Sequence, residues 1–353
     1  SLPYTSFTAS DAIPAFRTLQ QAKHTGKVLL TQDADTAWST EKNNETANAQ
    51  GSLNFREKST YLITGGLGGL GLVTAEWMVE QGAQRIILLG RKAPDSRAEA
   101  SINRLRDDGC IVETISADVS DSVALKTALE EIYQTSDYPL KGVIHAAGVL
   151  DDELMQQLTW EKFERVLAPK VAGAWNLHTL TQGCALDFFV LFSSAAALLG
   201  SPGQANHATA NAFMDGLAHY RQQAGLPALS INWGAWSEVG SAVKYQQQGT
   251  LEHFPGVDTI EPKAGIQQLK SIWSTTAAQV GVVPINWSTF LAQASSSPLF
   301  TTHAQVHKQT PERSHRSASS ILTDLAAAPV EQKNERLDTY VCRQICKTLG
   351  FSA

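Results

Sequence analysis

Six short apolar runs, YLITGG, RIILLG, CIVETISA, GVIHAAG, FFVLFSS and ALSINWG, recur between residues 59 and 235 of this 353-residue chain, separated by amphipathic stretches of ten to twenty-five residues. Runs this short, apolar on both sides of a pleat and rich in β-branched residues, suit strands covered on both faces. Helix-length segments between them are what parallel strands need as crossovers. The pattern predicts an α/β fold, a doubly wound Rossmann-type parallel sheet, with linker segments on either side.

Beyond the sheet the chain divides by composition. Residues 1–32 carry apolar structure ending in GKVLLTQ, and 33–58 form a polar linker without a sustained period. The main domain spans 59–292 and includes, after the six runs, a helix near 261–279 and a strand-like run VGVVPINW. A second connector covers 293–320, with QASSSPL and TPERSHRSASS, and 321–353 reads as helix with a proline break.

The net charge of -6 offers no concentration of positive charge, which argues against a nucleic-acid partner. There is neither a transmembrane-length apolar run nor a basic-then-apolar leader at SLPYTSFTAS, so the expected location is the cytosol. Cys110, Cys184, Cys342 and Cys346 are too scattered for a disulfide framework. Cys342 and Cys346 share a helix face, but with no second pair or nearby histidine they read as packing, and no metal site is expected.

YLITGGLGGLGLVTAEWMVEQGA has the order strand, glycine-rich turn, helix. Gly65, Gly69 and Gly71 permit a tight turn that brings backbone N–H groups to a pyrophosphate at the helix N-terminus. Thr64, Gly66, Leu67 and Leu70 complete that loop. The second run ends in Arg91 and Lys92, with no carboxylate before Asp95; a basic residue there accommodates a ribose 2′-phosphate, so NADPH is favoured over NADH. Asp118 and Val119 after the third run, and Ala146, Ala147 and Gly148 after the fourth, are placed to border the cofactor, Asp118 toward the adenine amine. His145 reads as a packed core histidine.

These residues, with GRK, ADVSD, HAAGVLDD, APKVAGAWNLH, LFSSAAALLGSPGQAN, ANAF and SINWGAW in order over about 59–290, resemble the ketoreductase domains of modular polyketide synthases, a branch of the short-chain dehydrogenase/reductase superfamily. Residues 1–32 resemble the tail of an enoylreductase domain, and 321–353 the linker and start of an acyl carrier domain, without its phosphopantetheine-bearing serine motif. The resemblance implies NADPH-dependent reduction of a β-ketoacyl thioester, carried on the phosphopantetheine arm of an acyl carrier protein, amid neighbouring synthase domains. It places the catalytic lysine at Lys170, the serine at Ser194 and the asparagine at Asn211; the tyrosine position holds His207.

A phenol beside Lys⁺ is a good proton donor, whereas imidazole beside Lys170 is held neutral and stops short of the phenol's reach. Three readings follow: an active reductase in which His207, through water or Lys170, is the proton source; a reduction-incompetent domain kept for structure or carrier binding; or a related short-chain reductase or epimerase acting on another substrate. Leu150, Asp151 and Asp152 resemble the motif of members that give the D-configured hydroxyl, and Leu199 stands where the opposite class carries tryptophan. Asp151 and Asp152 would also serve as an N-cap for a helix at ELMQQLT. Residues 237–258 match a lid over the site, with His253 a surface residue, and Trp233 and Trp236 are either pocket walls or core aromatics.

Overall fold

A computed structural model describes residues 4–8, 27–31, 55–134, 137–240, 255–294 and 300. Strands β1 (Tyr4–Thr8) and β2 (Lys27–Thr31) pair in parallel as a two-stranded sheet. The main sheet has seven parallel strands: β3 (Thr60–Thr64), β4 (Arg85–Gly90), β5 (Ile111–Ser116), β6 (Leu140–His145), β7 (Phe188–Ser194), β8 (Leu229–Trp233) and β9 (Gln279–Val282), in the order β5-β4-β3-β6-β7-β8-β9. The run VGVVPINW therefore supplies a seventh strand, and the sheet does not stop near residue 235. Its β9 pairs with β8 from Ser230↔Gln279 to Trp233↔Val282.

The crossovers include α1 (Gly69–Glu80), α2 (Ser96–Asp107), α3 (Ser122–Tyr133), α4 (Trp160–Leu167), α5 (Gly173–Leu180), α6 (Ala196–Leu199), α7 (Ala205–Gln223) and α8 (Pro262–Ile272), followed by α9 (Trp287–Ala294). The helix expected over 261–279 ends at Ile272, with Trp273 as C-cap.

Alternation along β3 shows how the sheet is clad. Tyr61 and Ile63 point into one core with Met78 of α1, Ile102 of α2 and Leu269 of α8. Leu62 points to the other, with Leu129 of α3, Leu177 of α5 and Met214 of α7. Each large aliphatic side chain buried on either face stabilises the fold by roughly 1.5–3 kcal/mol, so the inner strands are largely apolar on both faces, while the edge strand β5 buries only Val112. The strand order reverses between β3 and β6, and at such a point the carboxyl ends of the strands open a crevice.

Candidate active site

The β3–α1 turn is built from main chain. Gly65 adopts φ +67°, and a Cβ there would lie 2.7–2.8 Å from the Ala146 and Ala147 backbone at the end of β6. A Cβ on Gly71 would lie 2.5 Å from the Gly65 carbonyl oxygen. The Gly65 and Gly66 amides both donate to Leu89 O, at 2.8 and 3.3 Å, locking the turn onto β4. Gly68, the N-cap of α1, offers no capping side chain, and the first turn carries no acid, so the helix keeps donors and a positive dipole end for an anion. Thr64 is buried and its Oγ1 lies 2.6 Å from His145 Nδ1; the histidine is fully buried and is a core residue.

At the end of β4, Leu67 packs beneath Gly90 and the side chains of Arg91 and Lys92 are exposed. The Arg91 guanidinium is 3.9 Å from Asp118. Burial pushes the Asp118 carboxyl up, but the Ser120 hydroxyl and amide together with Arg91 hold it below the usual range. Val119 is buried, and a Cβ on Gly173 of α5 would lie 2.7 Å from its Cγ1.

Lys170 sits in a wide π-turn, Ala168–Ala172, between α4 and α5, where the Gly173 amide donates to Ala168 O. Pro169 cannot supply the N–H of a regular helical turn, and the extra residue re-aims the side chains, as such turns often do at functional sites. The lysine is 6% exposed and its Nζ donates to Phe192 O at 3.1 Å. A Cβ on Gly148 would approach Lys170 Cε to 2.9 Å, so that glycine makes room for the lysine. Burial lowers the ammonium pKa to about 8, opposed by Asp215.

Ser194 ends β7, and its Oγ accepts from the Ala196 amide at 3.2 Å. On α7 the Asn211 Nδ2 donates to His207 O at 2.7 Å, fixing the turn that carries the imidazole. His207 Nδ1 and Asn211 Oδ1 are buried without a hydrogen-bond partner among the described residues. Burial first, and Lys170 second, lower the His207 pKa to about 3. The imidazole is neutral, as the sequence leads one to expect, but desolvation is the larger cause.

A cavity of about 260 Å³ opens at this edge, lined by Lys170, Ser194, His207, Ala146, Gly148 and Leu70 together with Leu150, Leu199, Trp233 and Trp236. The two indoles are both wall and core, since each is 4% exposed and they pack edge to face with ring centroids 5.1 Å apart. Asn211 lies beneath the cavity rather than in its wall. Val239, Gly240, Val257 and Asp258 contribute from the region read as a lid, with Thr259 just after it; His253, like Cys342 and Cys346, lies outside the described residues.

Asp151 and Asp152 do not cap a helix at ELMQQLT, which is turn; the nearest helix, α4, is capped by Thr159. Local capping lost to contacts with α7 and α4. Asp152 accepts from Gln204 Nε2 at 2.7 Å, Asp151 O accepts from Asn206 Nδ2 at 2.8 Å, and Asp151 pairs with Arg165. Burial and the neighbouring Asp151 raise the Asp152 carboxyl above its usual range against the Gln204 hydrogen bond. Gln204 itself lines the cavity, so the acidic pair meets the site through it.

Sequence reasoning missed Gln204 and a polar group behind β7: Ser193, Asp215, Ser230, Asn232 and Gln279. The signal was available as polar residues inside strand runs that are otherwise apolar, FFVLFSS and LSINW.

The strand order, the glycine turn and the cluster at β7 and α7 define a dinucleotide-binding reductase domain of the short-chain type. The KR domain family matches residues 59–238, and the chain belongs to that family, the ketoreductase domains of polyketide synthases. It is 35% identical over 341 residues to a mycocerosic acid synthase-like polyketide synthase of Mycobacterium tuberculosis, covering 97% of this chain and 15% of that protein. Polyketide synthase GfsB of Streptomyces halstedii is 35% identical over 316 residues, covering 88% of this chain and 5% of the relative. The chain thus spans a small part of the curated relatives it matches.

Among solved structures, one described as A-type ketoreductases from a modular polyketide synthase aligns with a TM-score of 0.67 at 34% identity, covering 73% of this chain and 55% of that one. The first ketoreductase of the tylosin synthase aligns with a TM-score of 0.59 at 34% identity, covering 69% of this chain and 52% of the other. Family members are NAD(P)-dependent reductases. Among the described residues no helix is long and apolar enough to cross a membrane, and no His, Cys, Asp and Glu cluster is arranged to hold a metal.

Proposed function

We propose that this chain reduces a β-ketoacyl thioester, presented on the phosphopantetheine arm of an acyl carrier protein, to the D-β-hydroxyacyl thioester with NADPH. The observation that carries the reading is the cavity at the carboxyl ends of β6, β7 and β8 lined by Lys170, Ser194 and His207. The cradle that any Cβ would fill at Gly65 and Gly71, and the uncapped start of α1, fit a dinucleotide pyrophosphate. Exposed Arg91 and Lys92 favour a 2′-phosphate. When bound, the reduced nicotinamide supplies hydride for the ketone carbon.

Ser194 Oγ donates a hydrogen bond to the oxygen on which negative charge develops. His207, neutral above about pH 3, donates a second through its ring N–H but carries no proton to spare. Lys170, with its pKa near 8, is the neighbouring group that still holds a transferable proton at neutral pH, and His207 relays it through a bridging water, since none of the described residues hydrogen-bonds His207 Nδ1. Asn211 keeps the His207 turn in place. Leu150, Asp151 and Asp152 with Leu199 support the D product.

The flanks read as neighbouring synthase segments, 1–32 from an enoylreductase and 321–353 from the start of a carrier domain, and the alignment with a polyketide synthase over 97% of the chain supports this. The whole works in the cytosol. A second reading, a domain that no longer reduces, is favoured by one observation, the uncharged imidazole where a phenol is expected. NADPH oxidation with a short β-ketoacyl-pantetheine thioester separates the two. Turnover by the wild type that falls about 10²–10³-fold in Ser194→Ala supports reduction. No turnover by the wild type, with turnover regained in His207→Tyr, establishes the second reading.

A further inference from the structure

His207, Asn211 and Asp215 are spaced four apart on α7 and therefore share one face, the face turned to the sheet, where Asn211 is 0% and Asp215 7% exposed. A carboxylate so buried needs partners, and β8 provides them: Ser230 Oγ donates to Asp215 Oδ1 at 2.6 Å and Asn232 Nδ2 to Asp215 Oδ2 at 2.9 Å. The same Asn232 amide reaches Ser193 Oγ at 3.0 Å and Ser194 O at 3.1 Å, while its Oδ1 accepts from Gln279 Nε2 at 2.9 Å. Ser193 Oγ in turn donates to Asn211 O at 3.3 Å.

Three successive residues at the end of β7 are thus held from behind, Phe192 O by Lys170 and Ser193 and Ser194 by Asn232. Shape alone does not require this. Apolar residues of similar volume fill a core at no loss of stability, whereas a polar network must be satisfied throughout.

The titratable groups facing Lys170 are His145 from β6 and His207 and Asp215 from α7. Both histidines are neutral, and Lys170 itself helps to keep them so. Asp215 alone among them offers negative charge, and it acts through space: Lys170 Nζ bonds Phe192 O, and Asp215 bonds Ser230 and the Asn232 amide that holds the next residue, Ser193.

We propose that Asp215 and Asn232 are positioning residues of this site: Asp215 is the buried countercharge that keeps Lys170 an ammonium ion, and Asn232 ties that carboxylate to the backbone that carries Ser194. Neither touches the reacting atoms. The inference rests on the reductase reading for its consequence in turnover, but its electrostatic half is measured without turnover.

The test follows the Lys170 resonance of the full chain carrying ¹³Cε-labelled lysine through a pH titration, assigned by its loss in Lys170→Met. In Asp215→Asn the midpoint is expected at least one pH unit below the wild-type midpoint, with NADPH affinity within about twofold of wild type. An unchanged midpoint overturns the proposal whether or not the protein turns over substrate. If the shift is present and no variant turns over substrate, the reductase reading fails and the countercharge stands. Where turnover is measured, the alkaline limb of kcat moves with the Lys170 midpoint and KM does not. A uniform fall in kcat at every pH overturns the assignment.

Should Asp215→Asn be too unstable to titrate, the double variant Lys170→Met/Asp215→Asn is expected to melt above Asp215→Asn at acidic pH, where Lys170 is still protonated, because it removes the uncompensated ammonium with the carboxylate. A double variant no more stable than the single one overturns the pairing.

Discussion

The β3–α1 turn and the β7–α7 pocket lie at the same carboxyl edge of the sheet, yet the first is made from main chain and the second from side chains. On the proposed function, recognition at the turn depends on the absence of Cβ atoms at Gly65 and Gly71 and on amides at the start of α1. At the pocket, it depends on charge: Lys170 is buried with its pKa near 8, and two histidines are held neutral beside it. A steric site fails all at once when an atom is added and is indifferent to pH. An electrostatic site degrades by degrees and responds to pH through every group that titrates.

Gly71→Val gives the largest expected effect of that contrast. Its new atoms would sit 2.5 Å from the Gly65 carbonyl oxygen and 2.6 Å from Gly66 Cα, both backbone, so the turn itself must move. Overpacking of this kind costs about 1–3 kcal/mol. Fluorescence titration is expected to show dinucleotide binding weakened by up to about 150-fold, equally for NADPH and NADH and at every pH. Retained affinity would mean that the turn does not form the cradle.

Arg91→Ser is expected to act on the margin of the same region. Losing a charge-assisted contact to a 2′-phosphate is worth about 1.5–3 kcal/mol, or roughly 10–100-fold, in NADPH affinity. NADH affinity should stay within twofold. If both cofactors lose equally, Arg91 does not read the 2′-phosphate.

The last effect, read as a slope against pH rather than as a lost affinity, sharpens the electrostatic side. In the folded chain His145 and His207 take up protons only near pH 3, against an ordinary value of 6.5. The unfolded chain binds those protons first, so between these limits stability falls as pH falls, by up to about 1.4 kcal/mol per pH unit for each histidine; above 6.5 neither contributes. Melting curves should therefore decline more gently on acidification in His207→Gln than in the wild type. Identical slopes would show that the imidazole is not held neutral by the fold.

Much of this architecture is legible in the chain because backbone requirements leave a local trace. The turn glycines, the Arg91–Lys92 pair and six of the seven sheet strands stand at fixed offsets from one another. The seventh strand, β9, shows in the sequence as the strand-like run VGVVPINW, but it is short, with none of its residues fully buried, and its pairing with β8 is what joins it to the sheet. Asp151 and Asp152 look like a helix cap by local rules, and contacts with Gln204, Asn206 and Arg165 overrule them. The neutrality of His207 could be anticipated from Lys170, but burial, the larger cause, is a property of the packed pocket.

What the sequence determined by itself was the sheet, its helical cladding and the glycine turn, since strand and helix periods and turn chemistry act over a few residues, while the resemblance to ketoreductase domains singled out the groups at 170, 194, 207 and 211. Tertiary structure alone decided how far those groups are dried out, and that Asp215 and Asn232 stand behind them. Desolvation and through-space charge are set by everything that packs around a side chain, and the residues responsible come from strands and helices far apart in the chain.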